Sequence, residues 1–247
     1  MHELWRNERV LLMLLLGLDF ESTGLDLVND RVIEVGMVMW DSELRQPTRL
    51  EGFLVKPNDA IDPKHWAEAE KIHGIAWDTV DRYGMPDARA FAVVDTWLHT
   101  AEVVVAHNGC IFDRPMFEAW ATRRGEPVVK RLWIDTRMDL PRPLTGKLIY
   151  LAAEFGFVNP FPHRALFDAM SMMRILDNFD VQAVIARAKL PSVLVQARVN
   201  YSDREKAKDR GYYWESEKKR WVRTFKETEI EQEKIDAGFP IQVVQML

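Results

Sequence analysis

Four carboxylates and one imidazole stand in three short stretches of the chain: Asp19 and Glu21 within Leu18–Gly24, Asp113 at the end of Ala106–Asp113, and His163 with Asp168 five residues apart. Carboxylate oxygens are hard donors that suit Mg²⁺ or Mn²⁺, whereas zinc prefers His and Cys. A histidine beside such a centre can take a proton from water, because an imidazole ordinarily titrates near about 6.5. The chemistry to expect is metal-assisted hydrolysis. The single cysteine, Cys110, and the absence of any Cys-x-x-Cys pair agree with it.

Each stretch needs an element to hold it. Residues 10–18 are an apolar run of strand length, which must be buried on both faces and lie in mid-sheet. The run is too short to cross a bilayer. Residues two apart on a strand share a face, so Asp19 and Glu21 project together where the strand leaves the core. Burying two acids side by side is costly, since desolvation and repulsion both oppose ionisation, and a divalent cation removes that cost. Thr23 and Gly24 follow as a turn whose backbone a ligand can approach.

Residues 102–108 read as a short buried strand and 113–124 as a helix. Asp113 fits the N-cap position with Pro115 in the first turn, so its bland reading is a helix cap. Pro160 and Pro162 keep the chain out of a helix until about residue 164. His163 then lies in a loop, and Asp168 falls inside an apolar helix, where an unpaired acid is expensive. Taken alone, His163 reads as an ordinary loop histidine. The joint occurrence is what points to a site.

In this order and spacing the three motifs resemble those of the DEDDh family of 3′-5′ exonucleases, over roughly residues 10–188. That family includes the proofreading epsilon subunit of bacterial DNA polymerase III, exonuclease X and RNase T. Residues 71–75 resemble its segment between the first and second motifs, and the histidine disfavours the related tyrosine-bearing branch. Cys110 and Ile111 are substitutions within the second motif.

The resemblance implies an RNase H-like mixed α/β sheet flanked by helices. It implies two divalent cations, Mg²⁺ or Mn²⁺, about 4 Å apart, clamping the attacking water and the leaving 3′ oxygen. By analogy Asp19 bridges both ions, Glu21 and Asp168 complete the site of the attacking water, Asp113 serves the second ion, and His163 is the general base. The implied products are nucleoside 5′-monophosphates, with single-stranded DNA favoured as substrate and RNA trimming as the alternative. Thr23, Gly24, Leu25, Ile72, His73 and Asn108 match family positions that hold the 3′-terminal nucleotide. Each has a structural reading beside that one: a plain turn for Thr23 and Gly24, core for Leu25 and Ile72, a helix-terminal cap for His73 before Gly74, and a turn former for Asn108. The expected partners are a nucleic acid with a free 3′ end and a DNA polymerase or other replication or repair protein. Some relatives dimerise, which brings a homodimer within the implied range. A non-enzymatic alternative is an accessory subunit that keeps the fold and contacts a polymerase or nucleoprotein complex, but a scaffold has no reason to retain five costly polar groups.

The pattern of elements agrees with an α/β domain over residues 1–190. Strands are expected near 10–19, 31–40, 49–56, 103–108 and 131–135, and helices near 65–73, 87–100, 113–124, 145–155 and 164–187. Three leading strands followed by alternating helices and strands give a mixed sheet covered on both faces. The tryptophans and methionines spread along the chain are most simply core. Residues 1–9 form a longer lead-in than the family has, and Met13 is an alternative start. With no signal-cleavage pattern, the expectation is a cytoplasmic protein of a bacterial or phage-infected cell, away from membranes.

Residues 191–247 differ in character and read as a small α+β accessory module. Net charge is −5 overall, yet residues 200–226 carry nine Lys/Arg against five Asp/Glu, with Tyr201, Tyr212, Tyr213, Trp214, Trp221 and Phe225 interleaved. Any nucleic-acid footprint is therefore local. Residues 199–223 resemble a small domain attached to phage and plasmid DNA-processing proteins. Their physical reading is a strand, a helix capped from Ser202, Gly211 as C-cap, a hairpin packing Trp214 on Trp221, and a last strand near 240–246. Basic residues among aromatics suit single-strand binding, where a stacked base contributes about 1–3 kcal/mol. A module of this size also needs aromatic residues for its own core, or can dock a partner protein.

Overall fold

The computed structural model describes residues 13–59, 61–141 and 146–246. Three antiparallel strands lead: β1 (Leu14–Ser22), β2 (Val32–Asp41) and β3 (Gln46–Lys56). Next come α1 (Pro63–His73), α2 (Trp77–Tyr83), the two-residue β4 (Met85–Pro86), α3 (Asp87–Thr100), β5 (Val103–Ala106), α4 (Asp113–Arg124) and β6 (Leu132–Asp135). The first sheet has the order β4-β3-β2-β1-β5-β6, with β5 and β6 parallel to β1. β1 is central, as its apolar run requires: Leu15, Leu16 and Leu18 are fully buried.

Helices α5 (Leu148–Glu154), α6 (Ala165–Leu176) and α7 (Val181–Ala188) complete this domain. Helix α6 lies close over β1 and β2 because two strand positions have no side chain. A Cβ on Gly36 would stand 2.1 Å from the Ala165 carbonyl carbon, and one on Gly17 would stand 2.7 Å from Met173 Cγ. On the opposite side α3 buries Phe91, Val94, Trp97 and Leu98, and α4 buries Met116, Phe117 and Trp120. These spacings of three and four residues give each helix one apolar face.

The rest of the described chain forms β7 (Ser192–Ala197), α8 (Arg204–Asp209), β8 (Tyr213–Glu215), β9 (Arg220–Lys226), α9 (Ile230–Asp236) and β10 (Ile241–Met246). Its antiparallel sheet has the order β10-β7-β9-β8 and its own apolar cluster, including Val193, Val195, Tyr212, Phe225 and Ile230. Gly211 ends the α8 region at φ +79°, and Trp214 faces Trp221 across the hairpin with ring centroids 5.6 Å apart. The contacts that fasten the module include the buried ion pair Lys226–Asp139 at 2.6 Å and the two-pronged pairing of Arg187 with Glu229.

Several expectations need correction. The helix expected over 164–187 is two helices, because Asp180 turns away from α6 and caps α7 by accepting from the Gln182 and Ala183 amides. Asp113 is not an N-cap; Phe112 holds that position, and Asp113 is the first helical residue. β1 runs on to Ser22 beyond the end expected near residue 19, so Glu21 as well as Asp19 stands within the strand. Helices α2 and α9 were not expected. Trp214 is 48% exposed and so is not core. The starts of the strand expected at residue 10 and the helix expected at 145, the lead-in 1–9 and Trp5 lie outside the described residues. No helix among the described residues is long and apolar enough to cross a membrane.

Candidate active site

The strand pairing places Asp19 opposite Gly36 and Glu21 opposite Glu34. Between the two acids, the Phe20 amide donates to Asp113 Oδ1 at 3.0 Å, which fixes the start of α4 against β1. The Asp113 side chain is thus aimed across the sheet at β1 rather than back along its own helix. Asp168 sits in the first turn of α6 and is held by two bonds, from Asn159 Nδ2 to Oδ1 at 2.5 Å and from the His163 amide to Oδ2 at 3.0 Å. That second bond holds His163 at φ +60°, a conformation uncommon outside glycine. One ligand atom each from Glu21, His163 and Asp168 lies within 4.8 Å of the others, with the histidine exposed.

Electrostatics join Asp19 and Asp113 to this group. Burial, then repulsion from Asp113, Glu21 and Asp168, raises the Asp19 carboxyl well above its usual range. Burial and Asp168 push Glu21 up to about 8, and burial pushes Asp113 up to about 8 against the opposing Phe20 bond. Asp168 is pushed up to about 6, chiefly by burial. Four acids that resist joint ionisation are what a doubly charged cation neutralises. The donor set therefore fits hard divalent cations held by oxygen.

A family model described as an exonuclease, RNase_T, matches residues 16–176. The chain belongs to this exonuclease family. Asp19, Glu21, Asp113, His163 and Asp168 all fall within the matched residues. A second model, described as a domain of unknown function (DUF8626), matches residues 193–244. Among solved structures, the fold resembles E. coli exonuclease I in complex with a dA16 oligonucleotide (TM-score 0.59, 16% identity, 75% of this chain and 48% of that one). It also resembles the zinc-bound form of the E. coli exonuclease I–single-stranded DNA complex (TM-score 0.60, 16% identity, the same coverages). The nuclease domain of 3′hExo, a DEDDh family member bound to rAMP, matches with TM-score 0.56 and 17% identity over 68% of this chain and 92% of that one. The chain spans about half the length of exonuclease I. No curated protein matches.

Within the exonuclease domain, the six positions matched to nucleotide binding divide by environment. Leu25 and Ile72 are 81% and 65% exposed, so the core reading fails for both. Thr23 is fully buried; its hydroxyl donates to Asp30 Oδ1 at 2.7 Å and accepts from the Arg31 amide. A Cβ on Gly24 would stand 2.5 Å from Asp30 Oδ2, so that turn admits only glycine as packed. His73 meets its helix-end reading: Nδ1 accepts from the Ile75 amide at 3.0 Å beyond the helix end, and Nε2 is buried with no hydrogen-bond partner among the described residues. Asn108 turns the chain at φ +64°, and its Oδ1 accepts from Arg137 Nη1 at 2.9 Å.

Two acids that sequence reasoning passed over organise the exonuclease site. Glu34 is buried, accepts from Arg164 Nε and Nη2 at 2.9 and 2.6 Å, and accepts from the Ala165 amide at 2.9 Å, gripping the two residues after His163. The available signal was an acid in the apolar run Val32–Trp40, which had to be paired. Asp135 accepts from the amides of Asn108, Cys110 and Arg137 at 2.8, 3.2 and 2.9 Å, and burial pushes it up to about 6. It shapes the loop before Asp113, and Asp139 in turn accepts from the Asp135 amide at 2.8 Å. Nothing in the local sequence distinguishes Asp135 from a residue at a plain strand end.

Proposed function

We propose that the protein is a 3′-5′ exonuclease that hydrolyses the terminal phosphodiester of single-stranded nucleic acid, DNA in preference, and releases nucleoside 5′-monophosphates. The observation that carries this reading is the convergence of four mutually repelling carboxylates with His163 locked onto Asp168. Asp19, Glu21, Asp113 and Asp168 would hold two Mg²⁺ or Mn²⁺ ions. Such ions stabilise the negative charge that grows on the phosphoryl and leaving 3′ oxygens and make water more acidic. His163, exposed and within 4.8 Å of Glu21 and Asp168, takes the proton from the attacking water. As the new P–O bond forms the P–O3′ bond breaks, and the 3′ oxygen takes a proton from solvent. The Phe20 and His163 amides keep Asp113 and Asp168 in place through this change of charge. The preference for DNA draws support from the oligonucleotide complexes of exonuclease I, as similarity only.

The test is a gel time course on 5′-labelled DNA and RNA single strands of matched sequence, with Mg²⁺, with chelator, and with Asp19→Ala. The expected result is a metal-dependent ladder shortening from the 3′ end, faster on DNA and absent in the variant. Degradation by Asp19→Ala at the wild-type rate refutes the site, and shortening from the 5′ end refutes the polarity.

A further inference from the structure

A cleft of about 1050 Å³ opens between the exonuclease domain and the C-terminal module. One wall begins at Asn108 and the exposed Ile111, on the loop that leads into Asp113; the other is built from Tyr213, Arg223 and the end of α8. The cleft reaches the loop that leads into Asp113, since Asn108 and Ile111 line it and a Cβ on the intervening Gly109 would stand 3.4 Å from Asp113 Oδ2. It is also a fixed feature, because the buried pair Lys226–Asp139 and the Arg187–Glu229 contact hold its two walls together.

The charges along it are unequal in use. Arg187 and Arg210 are engaged by Glu229 and Glu233, and the remaining lining acid, Asp236, accepts from Gln232 Nε2 at 2.9 Å. Arg137 and Arg223 form no ion pair among the described residues. Arg223 is half-buried, its guanidinium lies 4.5 Å from the Phe225 ring centroid, and burial lowers its pKa. Its Nη1 donates to the Arg210 carbonyl, and Glu233 and Glu229 act on it without forming an ion pair, so no carboxylate among the described residues touches this half-buried guanidinium. Tyr213 is 46% exposed, and the Arg137 guanidinium lies 6.0 Å from its ring centroid. Cations spaced around an open aromatic ring are the elements with which proteins hold a single strand.

This inference rests on the exonuclease reading, which also fixes the occupant. An enzyme that removes a 3′-terminal nucleotide has no polymer beyond it, so a strand lying in a groove that opens at the loop before Asp113 is the part on the 5′ side. We propose that the cleft between the Asn108–Ile111 loop and the β8–β9 hairpin binds the single strand immediately 5′ of the nucleotide being removed, with Arg137 and Arg223 on phosphates and Tyr213 stacked on a base.

The experiment is fluorescence anisotropy with labelled dT12 and rU12, in chelator so that nothing is hydrolysed, over a series of salt concentrations. Tyr213→Ala should weaken binding at least about fivefold, the lower end of one lost base stack, and Tyr213→Phe should restore it. Arg223→Gln should lower the slope of log K against log salt by about 0.7, the value for one phosphate on a single strand. The two oligonucleotides show which sugar the cleft prefers. Wild-type affinity and slope in both variants would overturn the cleft as strand path while leaving the exonuclease reading untouched. Wild-type protein that binds neither oligonucleotide and degrades neither in Mg²⁺ would overturn both. Tyr213 is exposed on an edge strand, so its truncation decides the matter even if Arg223→Gln fails to fold.

Discussion

Replacing Glu34 by Gln tests whether His163, the proposed general base, is positioned from the opposite strand. Glu34 accepts three contacts from Arg164 at 2.9, 3.2 and 2.6 Å and one from the Ala165 amide at 2.9 Å. Bonds to a charged group contribute about 1.5–3 kcal/mol each, and breaking a fully buried pair costs about 3–5 kcal/mol. The Arg164 side chain is 43% exposed and the Glu34 side chain 9%, so solvent screening reduces the loss. A contrary effect comes from removing the Glu34 charge, which repels the Asp19, Glu21 and Asp168 carboxylates; for Asp19 and Asp168 this repulsion is smaller than the effect of burial. The net expectation is about 2–3 kcal/mol of destabilisation, or roughly 4–12 °C in Tm for a chain of this size. The same bonds fix the residue next to His163, and a displacement of about 1 Å in a catalytic group can cost about 100-fold. Single-turnover hydrolysis at saturating Mg²⁺ should therefore slow about 10- to 100-fold, with less change in KM. A lowered Tm with wild-type kcat would reduce Glu34 to a stability role, and no change in either would refute the reasoning.

His163→Ala should cut kcat about 100- to 10,000-fold, the range for a lost general base, while Mn²⁺ still raises Tm as in wild type; unchanged turnover would remove its role. Metal-free protein should lose stability as pH rises from about 5 to 8, because the folded state keeps protons on Glu21 and Asp113 that the unfolded state releases near its ordinary carboxylate values. Bound cations displace those protons, so the Tm gain on adding Mn²⁺ should be larger at pH 8 than at pH 6, and a gain independent of pH would contradict the clustered site. Lys226→Met strands the buried Asp139 carboxylate and should lower unfolding free energy by about 3–5 kcal/mol in urea titrations, with Asp139→Asn in the same chain recovering part of it.

The sequence made the frame of the large domain legible because its signals are strong and local. The apolar run 10–18 reads as a central strand, its described part from Leu14 falls in β1, and the period-two spacing of Asp19 and Glu21 sets them on one face. The module was legible for the same reason: Gly211, the facing tryptophans and the final apolar run each mark a turn or strand. What escaped depends on partners distant in the chain. Asp113 has the residue type and place of a helix cap, and only the fold shows its oxygen bonded to Phe20, 93 residues away. Leu25 and Ile72 look like core in sequence, and their exposure is set by the shape of the whole domain. The break after Leu176 was hidden because residues 177–180 lack glycine and proline, leaving Asp180 as its one marker.

Two of the three motif stretches are clamped by groups that come from elsewhere, the second of them twice, and the clamps differ in reach. The one on Asp113 is a single amide within the sheet, and the one on His163 crosses from β2 to the start of α6. The third is a relay: Asp135 gathers the amides of the loop before Asp113, Asp139 fixes the Asp135 amide, and Lys226 of the module neutralises Asp139 in a buried position. A buried carboxylate stripped of its counter-ion must take up a proton or draw in water, and either change loosens the amide it holds. The module thus reaches the second motif through two intermediate side chains. That connection gives a physical reason for the exonuclease domain and the C-terminal module to work as one frame, whatever strand or partner the module contacts.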